Sequence, residues 1–195
     1  IMDEEDADRL TLSNAYFFGA SRAAVRRGML YPFAAERMAQ IRKLFPDDEI
    51  EMFMALRNPA TLLPAMFEHS PKPSMTSYLG VDDPCDIRWS DTIHAIRNAV
   101  PDLAITVWCN EDTPLLWPQI IREVAGLELG EEIVGEFDLL NEIMSKEGMQ
   151  RFATYLKSHP EMTEIQKRLI EDRTEVYEED MLDFQRIPGV TLISP

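Results

Sequence analysis

The fold class is decided by residues 51–67, which read EMFMALRNPATLLPAMF. Met52 to Leu56 is an unbroken apolar run, which is typical of a strand buried on both faces of a parallel sheet. Asn58 is a good helix N-cap and Pro59 is a good first helical residue, so the strand is predicted to turn directly into a helix. The stretch therefore indicates a strand–helix unit of an α/β fold.

A second unit of the same kind follows along the chain. Ser90 and Asp91 are predicted to cap a helix, and Leu103 to Cys109 is predicted to be a second buried strand. A polar loop then leads into a helix that runs from about Pro114 to its C-terminal Gly126. This order of elements predicts a βαβ arrangement with parallel strands.

The flanking segments are predicted to be mainly helical. One helix is predicted to have Pro32 in its first turn and to stop at Pro46, and the segment from His69 to Trp89 reads as a long connection with one helical turn. Long amphipathic helices are predicted over Phe137–Lys157 and Thr163–Phe184, followed by a short strand within residues 187–193. We therefore expect one domain over 1–195, with a sheet-bearing core over 1–130 and a C-terminal helical region over 131–195.

The sheet predicted from these segments is small. Two strong strands and one weak terminal strand are few for a parallel sheet that is covered by helices on both faces. We therefore expect a three-layer α/β domain that is truncated at its N-terminus, with a further strand lying before Ile1.

Composition excludes several classes of function. The chain has 19 basic and 35 acidic residues and a net charge of −16, which repels nucleic acids and anionic membrane surfaces. No apolar run approaches the roughly 20 residues that a membrane helix needs. Cys85 and Cys109 lack the spacing of a metal site, so no metal is predicted. These features favour a soluble, cytoplasmic protein that binds neither nucleic acid nor membrane.

The best candidate for chemistry is the corner formed by Arg57, Asn58 and Pro59. Ligands of open α/β sheets bind at the carboxyl ends of the strands, and a helix N-terminus there offers unpaired N–H groups to an anion. Arg57 would add a planar fork suited to phosphate or sulfate oxygens. The alternative is that Asn58 and Pro59 only start a helix while Arg57 pairs with a surface carboxylate.

This corner resembles the R-N-P-x-D-x-x-x-S element of sulfotransferases, in which Arg and Ser bind the 3′-phosphate of 3′-phosphoadenylyl sulfate. Arg57, Asn58 and Pro59 match the element, so the resemblance implies that they bind this donor. Thr61 stands where the family has Asp, and Ala65 stands where it has Ser. The resemblance also implies the P-loop fold.

A second stretch extends the resemblance over roughly Tyr31 to Leu127. Residues 107–112, which read VWCNED, are followed by a helix that ends in Ala125-Gly126-Leu127, and together they are similar to the family's strand, Y-E-D-L and helix ending in L-G. Asn110 replaces the Tyr. The N-terminal loop that grips the 5′-phosphosulfate has no match and would lie before Ile1, and the C-terminal R-K-G-x-x-G-x-W loop is not found.

Three functions follow from these motifs. The first is transfer of a sulfuryl group from 3′-phosphoadenylyl sulfate to a hydroxyl of a small-molecule or glycan acceptor. The second is a noncatalytic binding or scaffold protein that kept the fold and lost the donor site, which Ala65, Asn110 and the missing C-terminal loop favour. The third, a nucleotide-dependent kinase of the P-loop group, would need a magnesium-binding carboxylate that the sequence does not identify.

Other polar residues carry weaker signals. Glu111 and Asp112 could act as a base or an acidic pair at the end of a strand, although capping of the next helix is the preferred role for Asp112. The basic cluster of Arg22, Arg26 and Arg27 could meet a phosphate or pair with surface carboxylates. The histidines are expected to be structural; they are His69, His94 and His159. No catalytic base is assigned.

Overall fold

The structure is a computed structural model that describes residues 9–81, 83–128, 131–139, 142 and 176–194. Its strands are β1 (Val25–Arg26), β2 (Met29–Leu30), β3 (Glu51–Leu56), β4 (Ala104–Cys109) and β5 (Val190–Ile193). Its helices are α1 (Ala34–Leu44), α2 (Pro59–Phe67), α3 (Met75–Leu79), α4 (Trp89–Ala99) and α5 (Thr113–Ala125). Residues 176–184 are also helical, and we call them the C-terminal helix.

The main sheet has three parallel strands in the order β3-β4-β5. Leu56 pairs with Cys109 at the carboxyl ends of β3 and β4, and Ile105 pairs with Val190 in β5. The two predicted strands and the short terminal strand are therefore confirmed. The order places β4 in the centre, so that the ends of β3 and β4 lie side by side.

Helices cover both faces of this sheet, as expected for an α/β domain with three layers. Alternate residues of each strand point to opposite faces. On one face Met52, Leu56 and Val107 belong to a large cluster that includes residues of α1 and α4. On the other face Trp108 and Ile193 pack against α5. The larger cluster is the main core of the described structure.

The sequence interpretation overlooked a β-hairpin near the start of the chain. Val25 pairs with Leu30 in an antiparallel ribbon, and both residues are buried. Arg27 and Gly28 form the two-residue turn, with φ angles of 52° and 77°. Positive φ at both central positions matches a type I′ turn, which suits the twist of a hairpin but is uncommon for arginine. Strands of two residues are too short to show an alternating pattern.

Two helices begin at other residues than the sequence predicted, and part of the predicted C-terminal region lies outside the described residues. α1 begins at Ala34, after Pro32, which was predicted to lie in its first turn. α4 begins at Trp89, so Ser90 and Asp91 lie inside the helix and are not its cap. The segment before α4 holds α3 and a short 3-10 turn. Most of the helix predicted over Phe137–Lys157, and residues 163–175, fall outside the described residues.

Candidate anion site at the carboxyl ends of β3 and β4

The corner between β3 and α2 forms as the sequence predicted. Asn58 is the N-cap of α2, and its side-chain Oδ1 accepts a hydrogen bond of 2.9 Å from the backbone N–H of Ala60. Pro59 is the first helical residue, where its missing N–H leaves no intrahelical bond unmade. The local sequence thus fixes the helix start immediately beyond the carboxyl end of the strand.

Arg57 lies at this corner and is half-buried. Its Nε donates a hydrogen bond of 3.0 Å to the Thr61 hydroxyl, which in turn donates to the carbonyl oxygen of Asn58. Arg57 takes part in none of the four ion pairs found among the described residues. The bond at Nε fixes the guanidinium plane, while its two terminal nitrogens keep the fork that binds oxyanions.

The carboxyl end of β4 adds an acidic residue to the corner. Residues 110–112 form a 3-10 turn, and the Glu111 carboxylate accepts a hydrogen bond of 3.0 Å from the backbone N–H of Asn58. An exposed carboxylate therefore sits at the N-terminus of α2, where the helix dipole favours negative charge. One anionic group of the chain therefore already occupies part of this corner.

Asp112 does not cap α5 in the way that the sequence suggested. It stands at the N-cap position but makes no side-chain hydrogen bond to the helix, because its backbone is in the helical region rather than the extended one. The Thr113 hydroxyl instead accepts a bond of 3.0 Å from the Trp108 indole. The predicted capping role of Asp112 is therefore wrong.

Two aromatic side chains donate hydrogen bonds to backbone carbonyls of the corner. The Tyr177 hydroxyl donates a hydrogen bond of 2.7 Å to the carbonyl oxygen of Leu56. The Trp89 indole Nε1 donates one of 2.9 Å to the carbonyl oxygen of Arg57. The ring of Tyr31 stacks on Trp89, with ring centroids 5.8 Å apart. Both donor side chains are buried; the Tyr177 bond is itself buried and the Trp89 bond is partly buried.

A buried carboxylate holds one of these donors in place. Asp180 is 1% exposed, and its carboxylate accepts hydrogen bonds of 2.7 Å from the Trp89 N–H and 3.2 Å from the Ser90 N–H. Asp180 therefore caps α4 from the C-terminal helix. Burial raises the pKa of Asp180, while the bonds from Ser90 and Trp89 and the charge of Arg88 oppose that rise.

The thiol of Cys109 lies next to Tyr177 at the end of β4. Burial raises the pKa of Cys109, the neighbouring Tyr177 hydroxyl opposes the rise, and the charge of Asp112 adds to it. Burial also raises the pKa of Tyr177. Both groups are therefore neutral at pH 7, so neither is an activated nucleophile.

The remaining sequence candidates lie elsewhere. His69 and His94 are exposed, and His159 falls outside the described residues. Arg22, Arg26 and Arg27 are exposed around the hairpin. None of the three arginines forms an ion pair within the parts of the chain that the structure describes.

The sequence interpretation missed the residues that support the corner, namely Trp89, Tyr177 and Asp180. Asp180 did leave a signal, because it lies on the same helix stripe as Tyr177, Met181 and Phe184, which are all apolar or aromatic and buried. A carboxylate on an apolar stripe indicates a buried partner. Which N–H groups it would meet could not be read from the pattern.

A scan against protein-family models gives no match, and searches of curated proteins and of solved structures likewise give none. The resemblance to sulfotransferases therefore stays a prediction. Within the described ranges, none of the helices combines the length and hydropathy of a membrane span. In the same ranges, no group of three or more His, Cys, Asp or Glu residues could hold a metal ion.

Proposed function

We propose that this chain is a sulfotransferase-like domain of the P-loop fold. In this proposal Arg57, Asn58 and Pro59 bind the 3′-phosphate of 3′-phosphoadenylyl sulfate, whose sulfuryl group passes to a hydroxyl of a small-molecule or glycan acceptor. The observation that carries the proposal is the position of Arg57, which lies beyond the end of a parallel strand and beside a helix N-terminus. Nucleotide phosphates are bound at such positions in open α/β sheets.

The state of the Arg57 side chain supports the same proposal. Its Nε is engaged by Thr61, and among the described residues no carboxylate lies within the 4 Å of an ion pair. A guanidinium held at one nitrogen loses less entropy when its terminal nitrogens bind a phosphate. Thr61 thus supplies a support for the arginine at a position where the sulfotransferase element has Asp.

Glu111 favours a second candidate function, that of a noncatalytic binding or scaffold protein. Its carboxylate already accepts the Asn58 N–H, which is a donor that a bound phosphate would otherwise use. A phosphate entering this corner must therefore displace Glu111 or accept repulsion from it. A domain that had lost the donor would keep such an internal bond at no functional cost.

Isothermal titration of adenosine 3′,5′-bisphosphate into the full natural chain separates the two candidates. Loss of the bidentate contact in Arg57→Ala is expected to weaken binding by about tenfold to a hundredfold. Arg26→Ala is the control, because Arg26 is exposed on the hairpin, and it is expected to bind like the wild type. If the wild type does not bind, the donor proposal is wrong and the scaffold function stands.

Glu111→Gln sharpens the same titration. The glutamine amide oxygen can still accept the Asn58 N–H, but the negative charge is gone. Donor binding predicts tighter binding of the bisphosphate in this variant, with a gain that shrinks as salt screens the charge. Unchanged affinity at low salt would show that the phosphate does not approach this corner.

A further inference from the structure

Both peptide planes that flank Arg57 are held by side chains from distant parts of the chain. The Leu56 carbonyl belongs to the peptide before Arg57, and it accepts the Tyr177 hydroxyl at 2.7 Å. The Arg57 carbonyl belongs to the peptide after it, and it accepts the Trp89 indole at 2.9 Å. Fixing both planes fixes φ and ψ of Arg57, because these are the only soft backbone dihedrals between them. The direction of its Cα–Cβ bond is then fixed as well.

The two donors are in turn held by the C-terminal helix. Tyr177 is a residue of that helix, and Asp180 lies one turn further on the same buried face. Asp180 binds the backbone N–H of Trp89, so the indole and the phenol are both placed by one docked element. Side chains held by packing and by further hydrogen bonds set the geometry of a site more closely than mobile ones do.

We propose that Tyr177 and Trp89 are positioning residues for Arg57, so that docking of the C-terminal helix sets the direction in which the guanidinium points. This makes the C-terminal helix part of the anion site, although none of its residues needs to touch the ligand. The effect on a ligand rests on the proposed function. The effect on the corner itself does not, and it is measurable without any ligand.

Tyr177→Phe is the test variant, because it removes one hydroxyl and leaves the ring in place. Tyr78→Phe is the matched control. Tyr78 is also buried, and its hydroxyl also donates a bond of 2.7 Å to a backbone carbonyl, that of Ser21. It packs against Phe67 at the opposite end of α2. Both variants lose the same chemical group, so a general loss of stability affects both.

The first readout is amide hydrogen exchange of Asn58 and the ¹⁵N shift of Arg57 Nε, measured by NMR on the full chain without ligand. Tyr177→Phe is expected to speed exchange at Asn58 by about tenfold and to move the Nε resonance. It frees the peptide plane before Arg57, so φ of Arg57 can vary and the next plane, which carries the Asn58 N–H, is held less firmly. Tyr78→Phe is expected to change neither. Equal behaviour of Asn58 in the two variants would overturn the positioning role.

The second readout is the affinity for adenosine 3′,5′-bisphosphate. If the wild type binds, Tyr177→Phe is expected to bind several-fold more weakly than Tyr78→Phe, and equal affinities would overturn the role in the site. If the wild type does not bind, the proposed function fails. The exchange data then decide alone whether Tyr177 positions Arg57, so the two failures are distinguished.

Discussion

Two helices, α2 and α4, begin beside the candidate site. The residue that caps α2 is adjacent to the helix in sequence, whereas the residue that caps α4 is distant. Asn58 caps α2 from within the same turn, and the exposed Glu111 adds a second bond nearby. At α4 the N-cap residue Arg88 makes no side-chain cap bond, and Asp180 supplies the bonds from 91 residues away. A local cap stabilises its helix in any state that contains the helix. A remote cap exists only when the tertiary structure has formed.

The two caps also differ in how deeply their hydrogen bonds are buried. The bond from the Ala60 N–H to Asn58 is partly buried, whereas the bond from the Trp89 N–H to Asp180 is buried. Removing a partner from a buried N–H costs its full desolvation, while an accessible N–H can turn to water. The remote cap is therefore expected to contribute more to the stability of the native state than the local one.

Asp180→Ala tests this comparison with the largest expected effect. It leaves the Trp89 and Ser90 N–H groups buried without an acceptor, so we expect the free energy of unfolding to fall by about 3 kcal/mol. Urea unfolding measures the loss. Asp183→Ala is the control on the same helix, because among the described residues Asp183 forms an ion pair only with the exposed Arg186, and we expect a change within about 0.5 kcal/mol. Equal losses in the two variants would break the comparison.

Asn58→Ala tests the local cap and is expected to have a smaller effect. The lost bond to the Ala60 N–H should lower the free energy of unfolding by about 1 kcal/mol. Asn58→Ser keeps an oxygen acceptor and should recover most of the loss. Thermal unfolding of the three proteins gives the values, and a cost above that of Asp180→Ala would reverse the order that burial predicts.

The smallest effect is a change in pH dependence, measured with Asp180→Asn. The native pKa of Asp180 is raised above its ordinary value of 3.8, so its folded state binds the proton more tightly than the unfolded chain. The stability that this group contributes is therefore full below 3.8 and is lost as pH rises through the raised pKa. Asparagine keeps an acceptor and does not titrate.

We therefore expect the stability of the wild type to fall relative to that of Asp180→Asn as the pH is raised through this window. Urea unfolding of both proteins between acidic and neutral pH measures the difference. A constant difference would mean that the hydrogen bonds from Ser90 and Trp89 balance the burial of the carboxylate, and a difference that favours the wild type as the pH rises would mean that they outweigh it.

The sequence predicted those features of the fold that depend on neighbouring residues. The apolar runs of β3 and β4, the Asn58-Pro59 start of α2 and the Gly126 end of α5 all depend on neighbours within one turn, and all are confirmed. The hairpin was not predicted because its turn contains an arginine with positive φ, which is uncommon for that residue. The residues that support the site, Tyr177 and Trp89, were not predicted. They donate hydrogen bonds to the carbonyls of Leu56 and Arg57, which lie 121 and 32 residues away in sequence, and no local pattern contains such pairs.

The position of β5 also bears on how the protein is synthesised. Among the described strands of this sheet, only β3 is available to pair with the central strand β4 until residues 190–193 have been synthesised, because β5 comes last of the three along the chain. During that delay the open edge of β4 presents unpaired N–H and C=O groups to any other extended chain. Slower translation between β4 and β5 prolongs this exposure, and the pairing of β5 with β4 ends it.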